Sequence, residues 1–235
     1  MRSRRIPWLA LVGAVLIWAT PAFAQLAPMS VPDLPDTIAL FPLPNVAVLP
    51  FQELPLRVFE PRYRQMLEDV LAGNLVVGLV QIQPGFEAEY EGRPPLFGIG
   101  CAAIVVRAER ETNGEFSIVV RAFTKFRINA EIPGKAYRLA RVEAIPELAT
   151  DEEREALHAE RPRLEAALAA SLGSPNGSLR LPPLSDVDLV SLLTMQLDLD
   201  TVDRQLLIER PGALARARAL VELLQRQADV MPQGR

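Results

Sequence analysis

From Ile38 to Gly73 the chain reads IALFPLPNVAVLPFQELPLRVFEPRYRQMLEDVLAG, and Pro42, Pro44, Pro50 and Pro55 interrupt its apolar residues. A proline has no N–H to give to a sheet ladder, which confines such strands to edges, bulges or strand ends. An irregular barrel follows from this more naturally than a flat sheet. Between Leu54 and Phe59, the residues Leu54, Leu56 and Val58 share one face and Pro55, Arg57 and Phe59 the other. Pro61 suits the first position of a helix, with Glu60 and Glu68 on its polar side. Tyr63, Met66, Leu67, Val70 and Leu71 recur at helical spacing as its buried stripe. Gly73 is expected as a left-handed C-terminal cap.

The first residues read as a processing signal. Arg2, Arg4 and Arg5 form a basic start, Trp8 to Ala19 form an apolar run short for a membrane span, and Ala22-Phe23-Ala24 offers a cleavage site before Gln25. The expectation is a secreted, periplasmic chain with no stable membrane insertion after cleavage. Loss of the three arginines takes the formal charge from −4 to −7. Cys101 is the only cysteine, so the mature chain has no internal disulfide and relies on its core. Residues 25–37 read as a flexible, proline-rich lead-in.

Further on, Leu75 to Ile82 is an apolar, β-branched run expected as a buried strand. Gln83 to Pro95, with its prolines, glycines and glutamates, reads as a polar rim. Leu96–Glu109 and Glu115–Ala122 are expected strands joined by a tight hairpin at Asn113-Gly114, whose two residues supply positive φ. Phe123–Ile132 and Tyr137–Ile145 add strands. After Pro146 the pattern turns helical. Thr150 with Glu153 forms a capping box for a helix that Pro162 is expected to kink or split, and Ser174–Pro183 is a loop. Ser185 with Asp188 and Asp200 with Asp203 start two more helices, and Ala213–Ala228 follows Pro211-Gly212. The fold class is α+β, a β-rich part over 38–145 and a helical bundle over 146–235.

The segment Leu54 to Met66, preceded by Phe41-Pro42-Leu43-Pro44-Asn45, resembles the N-terminal, substrate-binding domain family of Lon proteases. Gly98-Ile99-Gly100-Cys101-Ala102-Ala103-Ile104 looks like that family's Gly-Cys strand, and Arg121 to Ile128 looks like its basic strand segment, with Thr124 departing from the double-basic pattern. The resemblance extends over nearly the whole mature chain. It implies a PUA-like pseudo-barrel followed by a helical bundle, and recognition of extended or unfolded polypeptide clients. No G-x-x-x-x-G-K-[ST] phosphate loop is present, so a non-enzymatic module without ATPase or protease parts is expected.

Phe51, Leu54, Phe59, Glu60, Pro61 and Arg62 are the expected peptide-binding residues, since proline-broken edges leave unpaired backbone groups and aromatics supply anchors. Against this stands ordinary burial of Phe51 and Phe59 in the core. His158, the only histidine, has no orienting carboxylate among its helical neighbours, and Cys101 reads as a small buried hydrophobe. Glu53 with Glu60, and Asp198 with Asp200, read as surface charge and helix caps rather than acid/base pairs. No cofactor and no metal ligand set is expected. Leu96–Ile145 holds eight basic against five acidic residues, and Arg107, Arg121, Lys125, Arg127, Arg138 and Arg141 alternate with apolar residues, a spacing that allows many of them one outward sheet face and reads most simply as solvated charge beside acidic neighbours. The acidic balance of the whole chain disfavours nucleic acid as a partner. An unrecognised hydrolase and a PUA-like RNA-binding protein are the alternatives from other classes.

Overall fold

The structure, a computed structural model, describes residues 33–44, 46–145, 147, 150–172 and 183–230. The expected signal segment, most of the lead-in and the 174–182 loop lie outside the described residues. Among these, the elements run β1 (Thr37–Leu43), β2 (Glu53–Val58), α1 (Pro61–Leu71), β3 (Val76–Gln81), β4 (Ile99–Arg110), β5 (Phe116–Ile132), β6 (Arg138–Ile145), α2 (Asp151–Ser171), α3 (Asp186–Gln196), α4 (Thr201–Glu209) and α5 (Gly212–Val230). The fold is α+β, with a mixed sheet followed by helices.

Strand order is β2-β5-β4-β3-β1-β6, with β1 parallel to β3 and the other pairs antiparallel. Beyond Lys125, β5 also pairs with β6. Pairing therefore runs in a closed circuit through β1, β3, β4, β5 and β6, and β2 hangs on β5, with no second strand beside it among the described residues. The proline rule holds for β2, an edge strand carrying Pro55. It does not confine β1, which lies between β3 and β6. There β6 pairs only with Thr37 to Leu40, so Pro42 sits beyond the end of that ladder.

Both faces of β1 and β3 are buried. Ala39, Phe41, Val77 and Leu79 join the apolar stripe of α1 in one cluster, while Ile38, Leu40, Val76 and Val80 join Phe126 and Ala140 in another. Two glycines make room for the Phe126 ring. A Cβ on Gly100 would lie 2.4 Å from the Leu79 carbonyl oxygen and 2.8 Å from Phe126 Cζ, and one on Gly78 would lie 2.9 Å from the same ring atom.

Three local expectations are corrected. The left-handed residue after α1 is Leu75, at φ 63°, whereas Gly73 keeps a negative φ and the helix ends on ordinary turns from Ala72 and Gly73 to Glu68 and Val70. The β4–β5 hairpin forms as expected, but only Gly114 has positive φ, so its turn uses one left-handed residue rather than two. The expected strands Glu115–Ala122 and Phe123–Ile132 are one strand, β5, with a bulge. Ala102 faces Thr124 and Ala103 faces Ala122, which leaves Phe123 as the extra residue.

In the bundle, Thr150 and Glu153 complete a reciprocal capping box at α2, and Ser185 and Asp200 cap α3 and α4. The α2 helix runs unbroken through Pro162. Leu157, Leu164, Leu168, Leu189, Leu220 and Leu224 form its shared core, with α5 packed against α2, α3 and α4. The α4 helix meets the sheet: Gln205 Nε2 donates to the Ile99 carbonyl at 3.0 Å, and Ile208, with Met195 of α3, packs against Ala47 and Leu49 of the β1–β2 connection.

Candidate functional site

Strand β2 and its flanks carry the expected site residues. Along Phe51–Pro61 exposure alternates residue by residue, so Phe51, Glu53, Pro55, Arg57, Phe59 and Pro61 face outward. Phe51 is 75% exposed and Phe59 57%, which rules out burial in the core. Leu54 is partly buried against the main cluster and belongs to the opposite, core-facing row.

Phe51 sits in a strained backbone position. Its φ of 70° is one that a residue with a Cβ seldom adopts. The Phe51 N–H donates to the Ala122 carbonyl at 2.7 Å, while the Ala122 N–H donates to the Gln52 carbonyl at 2.8 Å. Two residues of the β2 side thus face one of β5, a bulge whose first position normally holds glycine. The same bonds fix the alternation of the ladder. Leu54, Leu56 and Val58 bond towards β5, and Glu53, Pro55 and Arg57 turn their backbone groups to the free edge. Pro55 removes the middle donor from that edge.

Beside β2, the outward face holds a cavity of about 340 Å3 lined by Pro55, Arg57, Arg107, Glu109, Ser117 and Val119. Glu53 pairs with Arg121, and Arg57 pairs with Glu115 at 2.8 Å. Glu53 and Glu60 are therefore engaged separately and form no carboxylate pair. A larger cavity of about 600 Å3 lies in the bundle between Leu172, Leu197 and Leu223, away from every expected site residue.

Glu60 and Arg62 play a different part from the one expected. The Arg62 side chain bonds Glu60 at 2.9 Å and donates to three successive carbonyls of the rim, those of Tyr90 at 2.6 Å, Glu91 at 2.9 Å and Gly92 at 2.9 Å. Its guanidinium lies 4.6 Å from the centre of the Tyr63 ring and 5.5 Å from that of Tyr90. Burial, and then the hydrogen bond to Glu60, push the Tyr90 hydroxyl pKa up, so it stays a donor. Arg62 fastens the 83–95 rim. The sequence marked that loop as polar, but nothing in it signalled which cation holds it.

The basic face also divides. Arg107, Arg127 and Arg141 are exposed, but Lys125 is fully buried. The bulge at Phe123 reverses the alternation of β5 and sends Lys125 inward. Its ammonium donates to the carbonyls of Ile208 at 3.0 Å and Arg210 at 2.8 Å, at the C-terminal end of α4, and pairs with Glu147 at 2.7 Å. Arg216, 1% exposed, bonds the same Glu147 oxygen at 2.6 Å and the Leu207 carbonyl at 3.2 Å.

Cys101 is buried, and that burial raises its thiol pKa, as suits an inert core residue. His158 does meet a carboxylate, because α3 brings Asp186 Oδ2 to 3.0 Å from Nδ1. Arg161 bonds the other Asp186 oxygen at 2.8 Å, so the group seats the first turn of α3 against α2.

The ATP-dependent protease La (LON) substrate-binding domain family matches residues 37–226, and the chain belongs to that family. Lon protease 2 of Sorangium cellulosum is 27% identical over 203 residues, covering 83% of this chain and 25% of that protein. Lon protease 2 of Syntrophobacter fumaroxidans is 28% identical over 199 residues, again covering 83% of this chain and 25% of the relative. The chain thus spans about a quarter of the length of these relatives. Its fold is similar to that of the N-terminal domain of a Mycobacterium avium complex Lon protease, with a TM-score of 0.57 and 20% identity over 83% of this chain and 100% of that one. A Lon N-terminal domain protein from Xanthomonas campestris is also similar, with a TM-score of 0.53, 19% identity and coverage of 83% and 99%.

Proposed function

We propose that this chain is a non-enzymatic module that holds extended polypeptide segments on the outward face of β2, with Phe51 and Phe59 as its anchors. The observation that carries the reading is the pair of exposed aromatics at the two ends of β2, one of them held at a φ that glycine would adopt without strain. Backbone outliers of that kind cluster at sites that hold ligands. Aromatic side chains supply large contact area with few rotatable bonds, which suits an anchor. The matched family is one of substrate-binding domains, which supports a polypeptide as ligand. Glu53, Pro55, Arg57 and Pro61 complete the outward row, while Leu54 backs it and Glu60 and Arg62 brace the neighbouring rim.

The test is capture of a permanently unfolded model polypeptide by the protein and by Phe51→Ala/Phe59→Ala. Loss of about tenfold or more in affinity is expected, the effect of removing interface hot spots. Unchanged capture by the folded double variant would refute the surface. Export belongs to the same proposal, resting on the basic, apolar and Ala-x-Ala pattern of residues 1–24. Intact-mass measurement on the exported fraction is expected to give a chain starting at Gln25, and a protein retaining Met1 there would defeat it.

A further inference from the structure

The outward row of β2 and its two flanking aromatics keeps its shapes and inverts its charges when read from the other end. Phe51, Glu53, Pro55, Arg57 and Phe59 taken backwards give aromatic, base, proline, acid, aromatic. A two-fold axis passing over Pro55 therefore sets Phe51 of one copy against Phe59 of the other, Glu53 against Arg57, and Pro55 against itself. The pairing is complementary at every position, as an isologous contact requires. We propose that β2 is a self-association surface whose occupant is a second copy of this chain, packed antiparallel with the outward faces together.

Several observations shape the geometry. Pro55 has no N–H to give at the axis, so the two strands do not extend one sheet edge to edge. They meet through side chains, with the two Pro55 rings stacked. Glu53 already bonds Arg121 and Arg57 already bonds Glu115, yet the Arg57 side chain is 66% exposed and that of Glu53 50%, which leaves each free to gain a partner from the second copy. Neighbouring Val119 gives the contact apolar ground on the β5 side, and the cavity beside Pro55 leaves room for the facing side chains. The two aromatics of each copy become covered. A contact resting on one strand and its neighbour is at the small end of specific interfaces, so the dimer is weak and concentration-dependent.

The inference uses the surface of the proposed function but not its client, and the two fail separately. Sedimentation of the full chain as isolated from cells is expected to show reversible dimerisation at concentrations on the order of tens of micromolar, as for a small transient interface. Glu53→Arg presents two arginines along the row and Arg57→Glu two glutamates. Each alone is expected to weaken self-association by about tenfold through like-charge contact across the axis. Mixed in equal amounts, the two variants are expected to pair with one another about as tightly as the unaltered chain, since every position again meets its opposite. A folded protein that stays monomeric at ~100 µM, well above the range expected of a transient contact, overturns the proposal. So does a mixture of the two variants that fails to associate while both stay folded by circular dichroism. Client capture is read separately, on the unaltered chain at high dilution, where a weak dimer is dissociated.

Discussion

Lys125 and Glu147 form an ion pair of 2.7 Å in which the ammonium is entirely shielded from solvent. The lysine comes from the sheet and the carboxylate from the connection leading into the bundle. Arg216 shares the carboxylate, so one anion balances two buried cations. Removing one member of such a group leaves charge uncompensated in a poor solvent for it. Glu147→Gln is expected to destabilise the fold by roughly 3–5 kcal/mol, read by denaturant unfolding. Lys125→Met is expected to be milder, because Arg216 still holds Glu147 and only the Ile208 and Arg210 carbonyls lose their donor. Equal stability of Glu147→Gln and the unaltered chain would show that the pair is not structural.

Phe51→Gly separates strain from recognition. Glycine adopts φ near 70° without steric penalty, so the variant is expected to be as stable as the unaltered chain or up to about 1 kcal/mol more stable. Its capture of unfolded polypeptide is expected to fall. A clear loss of stability by thermal unfolding would mean that the ring packs where the structure shows it exposed.

Arg62→Lys tests the fastening of the rim. A lysine keeps the charge but has no planar fork with which to reach three carbonyls at once. Amides of residues 85–93 are expected to exchange faster with solvent, with a stability loss of about 1–3 kcal/mol, as for hydrogen bonds to a charged group. Unchanged exchange across that loop would show that the rim stands without Arg62.

Gly100→Ala is expected to lower stability by about 1–3 kcal/mol through overpacking. The added methyl meets a backbone oxygen, which yields less readily than a side chain. Phe126→Leu in the same protein is expected to restore part of the loss by withdrawing the ring, and no recovery would place the clash at the Leu79 carbonyl alone.

Acid stability follows Asp186. Burial pushes its carboxyl pKa up, but bonds and charge from Arg161 and His158 outweigh that and hold it below the usual 3.8. Below 3.8 the unfolded chain therefore takes up a proton that the folded chain refuses. Its contribution is complete above that pH and is lost as pH falls through the lowered value. Asp186→Asn is expected to reduce stability by about 0.5–1 kcal/mol at neutral pH, and the gap should close progressively below 3.8. A gap that stays constant into acid would assign the loss to the cap geometry instead.

The elements that rest on periodicity or capping chemistry were legible in the sequence. The α1 stripe, the Thr150 capping box, the Ser185 and Asp200 caps and the β2 alternation all appear where local chemistry puts them. What was hidden depends on one extra residue or on distant partners. The bulge at Phe123 has no sequence mark, yet it turns Lys125 from the surface to the buried junction of β5 with the end of α4. The carboxylate beside His158 comes from another helix, beyond the reach of a helical-neighbour argument. Phe51 carries a glycine's backbone without being glycine, so composition could not show the turn. Arg62 was legible as a cation at a helix start, but its three carbonyl partners lie about thirty residues downstream.

The circuit of strands closes only where β6 reaches back to β1. About a hundred residues separate Thr37 from Arg141, its partner in that ladder. The earliest strand cannot find its last neighbour until the latest strand has been made, so the chain cannot finish this half piecemeal as it emerges. High separation between partners slows folding and prolongs the life of open intermediates. During that interval β1 has a bare flank, and a prolyl residue near its end limits what can add there by mistake. Until residue 145 is available, that flank has no β6 to cover it.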